Sequence, residues 1–402
     1  MGKYLKEFEL ISQYEEYINS DMAILPNVSI IKDDNMVHYN PKVNNVSKVL
    51  NYLKFTAEED NSTISLYDDN SPDIKYSLNE GEWIQWDYND ITLNMGDTVR
   101  MKGNNSNGFN TSDLSSNQFM MTGKIGASGN IMSLLYEDDF EGKLTIPCDY
   151  CFANMFMNCN SSITTAPELP ATTLTNGCYS SMFYGCDSLT NAPTLPATTL
   201  TNGCYSSMFK GCYSLITTPE LPATTLADDC YREMFVSCYS LTTTPELPAT
   251  TLAEGCYREM FSDCYSLTTA PTTLPATHLA VGCYAQMFFG CNALTTVPTI
   301  LPATTLADDC YNGMFDGCSV ITTAPELPAT ILTKNCYSGM FSGCSELNYI
   351  KMLATDISAT GCLDSWVSSV SSTGTFVKDP NMTSLPTGDS GIPTGWEVQD
   401  VA

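Results

Sequence analysis

Pairs of cysteines eight residues apart recur along this chain: Cys178 with Cys186, Cys204 with Cys212, and so on to Cys336 with Cys344. So many thiols suit disulfides, metal ligation or redox exchange, and spacing decides among these. On a helix, residues eight apart lie about 12 Å apart along the axis, whereas a disulfide needs Cα atoms within about 7 Å. The expectation is buried free thiols that behave as small apolar groups. The one CxxC, "CDYC" from Cys148 to Cys151, leaves zinc or redox chemistry open as the alternative there. Other reactive groups are sparse. The two histidines are His38, in "MVHYNP", and His278, which takes the place of a repeat threonine. Asp228/Asp229 and Asp308/Asp309 precede expected helices, where they cap the positive end or hold calcium weakly. No P-loop, GxSxG or HExxH motif occurs. With no converging acid, base and nucleophile, the expectation is a protein that is not an enzyme and uses no cofactor and no catalytic metal.

A repeat must position the thiols. Units open with Leu-Pro at Leu169, Leu195, Leu221, Leu247, Leu274, Leu301 and Leu327, a step of 26 residues, twice 27. Worn copies around Cys151–Cys159 and Cys362 predict end caps. Within a unit Cys178, Tyr179, Met182, Phe183 and Cys186 fall at i, i+1, i+4, i+5 and i+8, one apolar stripe of a helix. The pattern predicts a two-turn helix in each unit, capped by residues such as Gly177 and stopped by residues such as Gly185. Its core column is Cys178, Met182, Phe183, Cys186, Cys204, Phe209, Cys212, Phe235, Phe261, Phe288, Phe315 and Phe341, and Glu233 lies on the outer side. Leu189 and its counterparts, followed by threonines, predict a short strand that Pro193 and its counterparts end. A helix and a strand per unit, neither able to bury its face alone, predict a stacked leucine-rich-repeat solenoid.

Elsewhere the pattern changes. From about Asn51 to Ile146, stretches such as "IKYSL", "EWIQW" and "ITLNMGDTVRMKG" alternate with period two and predict antiparallel strands and hairpins, with at most one of Trp83 and Trp86 facing the core. A helix is expected over Tyr4–Ile18. The fold class expected is α+β and multi-domain: an N-terminal anchor (1–45), a small β-sandwich-like domain (46–146), the α/β solenoid (147–352) and a C-terminal cap (353–402). Seventeen Lys and Arg against forty-five Asp and Glu leave a net charge of -28, which repels a phosphate backbone and argues against nucleic acid as a partner. "MGKYLKEFELISQYEEYINS" has no apolar h-region, and nowhere do eighteen apolar residues run together. The expectation is a soluble chain without secretory signal or membrane insertion.

The unit "MFYGCDSLTNAPTLP" with its return "CYSSMF" resembles the BspA-like leucine-rich repeats of bacterial surface proteins. "KYLKEFELISQYEEYI", "ILPNVS", "VHYNP", "GNIMSLLYEDDF" and "GTFVKDPNMTSLPTG" resemble modules that flank such repeats in head-fibre and tail-appendage proteins of tailed, crAss-like phages of Bacteroides-type hosts. That resemblance implies a virion protein, made in the host cytoplasm and exposed on the particle. Residues 1–45 would dock on other virion proteins, with homo-oligomerisation at that end, and the repeats would meet a host surface protein or glycan. A cellular adhesin or interaction scaffold is the alternative. From Cys148 to Ile350 there are sixteen Asp or Glu and four Lys or Arg, so the recognition face would be acidic. Tyr213, Tyr239 and Tyr265 occupy one place in successive units, as do Arg232 and Arg258. The tyrosines would form a ladder able to stack on sugars or meet a protein, or be a by-product of repeat copying.

Overall fold

A computed structural model describes residues 31–33, 36–38, 50–67, 71–112 and 117–401. The chain divides into two compact units, Met1–Val49 and Leu50–Ala402. In the first, β1 (Ile31–Asp33) and β2 (Met36–His38) pair antiparallel, with Ile31 opposite His38. The helix expected over Tyr4–Ile18 and most of the expected anchor (1–45) lie outside the described residues.

The second unit begins with sheets. β3 (Leu53–Ala57), β5 (Lys75–Leu78), β6 (Ile84–Gln85), β8 (Thr98–Lys102), β10 (Ile125–Ser128) and β11 (Ile163–Thr165) form six strands in the order β11-β10-β3-β8-β5-β6. β4 (Ser62–Tyr67), β7 (Ile91–Leu93) and β9 (Gln118–Thr122) form three, in the order β7-β4-β9. Alternation does what period two requires: Leu53, Phe55 and Ala57 turn inward on β3, and Ile64 and Leu66 on β4. Trp86 is buried and Trp83 is partly exposed. The sheet does not stop at the expected boundary of 146, because β10 pairs in parallel with β11 of the first coil, Ile125 opposite Ile163.

The expected α+β class with a helix in every coil is overturned. Among the described residues the one α-helix is α1, Ser133–Tyr136, and the repeats are built of turns, short bridges and coil. Each repeat segment expected to be a helix is instead a run of four-residue turns. Ser180, Met182, Tyr184 and Cys186 donate their N–H groups three residues back within the coil, to Gly177, Tyr179, Ser181 and Phe183, at 2.9 to 3.2 Å. The alternate residues Gly177, Tyr179, Ser181, Phe183 and Gly185 donate to Asn202, Cys204, Ser206, Met208 and Lys210 of the next coil, at 2.8 to 3.0 Å. Half of the donors that an α-helix keeps for itself thus tie one coil to its neighbour.

Backbone handedness explains why. Gly177, Ser181 and Gly185 all have positive φ, as do Asp229, Glu233 and Ser237 two coils on, and Asn335, Gly339 and Gly343 near the end. A left-handed residue at every fourth position breaks a right-handed helix into reversals. The two columns expected to cap and stop a helix are the first and third members of this series. Spacing points the same way, since helices need about 8 to 10 Å between axes, whereas hydrogen-bonded strands lie about 4.8 Å apart.

The expected strand survives mainly as single parallel bridges, Asn191 to Thr217 and Thr243 to Thr269 to Thr296. The following prolines, Pro193 and its counterparts, have no N–H with which to extend them. At the C-terminal end the ladder widens into a parallel sheet of β12 (Tyr349–Met352), β13 (Thr375–Lys378) and β14 (Glu397–Asp400).

Two buried aromatic columns run the length of the stack. Phe183, Phe209, Phe235, Phe261, Phe288, Phe315 and Phe341 stack at 5.4 to 5.7 Å. Tyr179 to Tyr311 do so at 5.6 to 5.9 Å, and Tyr337 follows at 6.0 Å, tilted by 31°. Both continue at the N-terminal end, through Phe156 onto Phe119 of β9 and through Phe152 onto Phe109 between β8 and β9. Both end on Trp366, whose indole N–H donates to Gly391 O at 2.8 Å. The sheets and the C-terminal segment therefore close the ends of one continuous core, which is why residues 50–402 form one unit.

Candidate recognition surface

All eighteen cysteines are free thiols, and all but Cys148 are buried. The helical spacing that led to this expectation is not the cause. The second cysteine of each pair lies under the preceding coil, where its thiol donates to a phenylalanine carbonyl: Cys212 to Phe183, Cys264 to Phe235 and Cys344 to Phe315, each at 3.1 Å. Cys178, Met182, Phe183, Cys186, Cys204, Phe209 and the later phenylalanines of the column are likewise fully buried. Burial pushes the thiols up, Cys204, Cys256 and Cys264 to about 12 and Cys336 to about 11.

The acidic pairs also serve the stack. Asp228 Oδ1 accepts the Glu254 N–H at 3.1 Å and Asp308 Oδ1 the Lys334 N–H at 3.2 Å, each from the next coil. Asp229 and Asp309 are left-handed turn residues, with φ of 51° and 58°. The helix ends they were expected to cap do not exist. His278 keeps its threonine's place, bridging to Thr305, and its Nδ1 lies 3.2 Å from Thr277 Oγ1. His38 lies in β2. Among the described residues, no three His, Cys, Asp or Glu side chains gather as a metal site, and no helix is long and apolar enough to cross a membrane.

Tyr213, Tyr239 and Tyr265 do come together. They are 43%, 37% and 45% exposed, and their rings stack at 4.7 Å and 5.0 Å between centroids with planes 1° and 12° apart. The Ser240 N–H donates to Tyr213 O at 3.1 Å and holds the row in register. Both faces of the Tyr239 ring are occupied by its neighbours, so a sugar cannot lie flat on that ring, whereas Tyr213 and Tyr265 each stack on one face within the row. The row offers ring edges and hydroxyls along its length. Burial raises the Tyr213 hydroxyl, and the Asp263 carboxylate, 3.4 Å from Tyr265 Oη, raises that one.

The arginines form no such row of free cations. Arg232 Nε lies 3.2 Å from Glu233 Oε1, with Asp229 at 3.7 Å, and Arg258 Nε lies 3.2 Å from Glu259 Oε1. Glu233, expected on an outer helix face, is half-buried at φ 56° and also accepts from Lys210 Nζ at 2.5 Å.

No family model matches the chain and no curated protein matches it. Among solved structures it is similar to a leucine-rich repeat protein from Bacteroides ovatus ATCC 8483, at 16% identity and a TM-score of 0.30 over 61% of this chain and 71% of that one. A likeness at that level constrains neither fold nor role.

A second charged cluster escaped sequence reasoning. Arg100 and Lys102, two apart on β8, lie 5.6 Å and 4.7 Å from the Trp83 ring, and Lys102 also pairs with Asp138 at 2.7 Å. Tyr52 Oη donates to the same carboxylate at 2.6 Å, and its pKa is raised, chiefly by burial and then by that bond. The signal present was the i, i+2 spacing in "TVRMK", which puts both cations on one face of a strand.

Proposed function

We propose that the chain is a non-enzymatic phage virion protein, a head fibre or tail appendage, whose stacked repeats present a recognition surface to a host cell-surface protein or glycan. One observation carries the recognition part. The repeat column at Tyr179 buries its tyrosines from end to end, while three further tyrosines stand exposed in a row held by hydrogen bonds between coils. A row so fixed loses little side-chain freedom on binding, which favours affinity. Its edges and hydroxyls suit hydrogen bonding to a hydroxyl-rich or peptide partner. The virion part rests on the resemblance of the flanking segments. Docking through residues 1–45 and self-association at that end belong to the same proposal.

Replacing Tyr213, Tyr239 and Tyr265 together by alanine is expected to leave the protein folded and incorporated into particles and to weaken host-cell binding about tenfold or more. Unchanged binding would remove the row from the recognition surface. Absence of the protein from purified particles, with binding to cells retained, would replace the virion role by that of a cellular adhesin or scaffold.

A further inference from the structure

We propose that Cys148 and Cys151 form a reversible dithiol/disulfide pair, the one oxidisable site in a molecule whose other thiols are sealed in the stack. Cys148 alone among the eighteen cysteines is not buried. It stands three residues before the first core cysteine, the place of Thr175 before Cys178, Thr201 before Cys204 and Thr333 before Cys336, where the cysteine N–H donates back to the threonine O at 3.2 to 3.3 Å. In the first coil both of these places are held by cysteines. The chain reverses between them, with Tyr150 at φ 57°, and residues three apart across such a turn have Cα atoms within about 7 Å, the span a disulfide bridges.

Packing fixes the outer thiol. Cys148 Sγ donates to Asn110 O at 3.2 Å, and it lies 2.2 Å from where a Cβ on Gly108 would stand, so only glycine there leaves room for the sulfur. Chemistry assigns the order of events. The neighbouring Cys151 lowers the Cys148 thiol below its ordinary value, whereas burial raises Cys151. Cys148 is therefore the thiolate that attacks. With a small disulfide RSSR as oxidant, Cys148 S⁻ forms a mixed disulfide and releases RS⁻. Cys151 S–H gives its proton to solvent base and attacks the Cys148 sulfur, which forms the internal bond and releases a second RS⁻. Two protein thiols are oxidised and one RSSR is reduced to two thiols. The bond ends the donation from Cys148 to Asn110.

The test incubates the folded full-length chain with glutathione disulfide, traps remaining thiols with an alkylating reagent and maps the cysteines by mass spectrometry. The expected result is loss of two thiols of the eighteen, both in one peptide joining Cys148 to Cys151, restored by a reducing thiol. Cys148→Thr puts there the residue that other coils tolerate, and this variant should fold and keep Cys151 reduced. A lasting glutathione adduct on Cys148, oxidation of other pairs first, no oxidation at all, or loss of two thiols in the Cys148→Thr variant would each overturn the proposal.

Discussion

Raising the pH from 8 to 10 is expected to unfold the stack. Cys159, Cys204, Cys256 and Cys264 are pushed up to about 12 and Cys336 to about 11, in each case chiefly by burial. An exposed thiol in the unfolded chain titrates near 8.5. A thiol whose folded value is raised contributes fully below the unfolded value, and its contribution is lost as pH climbs towards the folded value. Each such group costs about 1.4 kcal/mol per pH unit above 8.5, so five together cost about 7 kcal/mol per unit. That is comparable to the whole stability of an ordinary domain, about 5 to 15 kcal/mol. Denaturant midpoints measured at pH 7, 8, 9 and 10 should hold level to about pH 8 and then fall steeply. A flat profile to pH 10 would mean that the thiols titrate freely and the columns are not sealed.

Phe235→Ala should destabilise the protein by about 3 to 5 kcal/mol, the range for deleting a fully buried phenylalanine. Phe235 is 0% exposed and stacks on Phe209 at 5.6 Å and on Phe261 at 5.4 Å, so the change empties one place in a continuous column and strips a face from each neighbour. Its carbonyl also accepts the Cys264 thiol, which links the cavity to the next coil. Urea midpoints for Phe235→Ala and the wild-type chain check this. A loss below about 1 kcal/mol would show that the column collapses freely around the gap, contrary to close packing between coils.

How far these features could be read from sequence depended on which physical signal each left. The core columns were legible, because burial repeats the same residue type every 26 or 27 positions whatever the backbone does. Backbone conformation was not, because Cys178, Met182 and Cys186 at four-residue spacing fit both a 3.6-residue helix and a chain of four-residue turns. A partial signal was nevertheless present at Gly177, Ser181 and Gly185. A helix uses the first and last as caps, and the middle position is Ser181, Ser207, Gly313 or Gly339 in four coils, which suit a turn, but Glu233, Glu259 or Gln286 in three, which suit a helix. The tyrosine row was legible as a column. The covering of both Tyr239 faces depends on ring spacings of 4.7 and 5.0 Å, which the spacing of residues in the sequence does not reveal. The period-two strands were legible for the same reason as the columns, since one face of each must be buried. Their merger with the first coil rests on the pairing of Ile125 with Ile163 and on Phe119 stacking against Phe156, contacts between residues that no local pattern connects.

The repeats are stacks of four-residue turns with a left-handed residue at every fourth position, and they share their hydrogen bonds with the next coil. Gly339 probes this arrangement, because it stands mid-segment at φ 61°, donates its N–H to Asp364 O at 2.9 Å, and an added Cβ would meet nothing closer than 3.9 Å. Sterics with neighbouring atoms are thus removed from the comparison, and only backbone handedness remains. The stability of Gly339→Ala, measured by urea denaturation, should fall by about 1 to 2 kcal/mol, the cost of holding an L-residue in the left-handed region. A gain of about 1 kcal/mol, the advantage of alanine over glycine inside a helix, would show that residue 339 is helical and not left-handed.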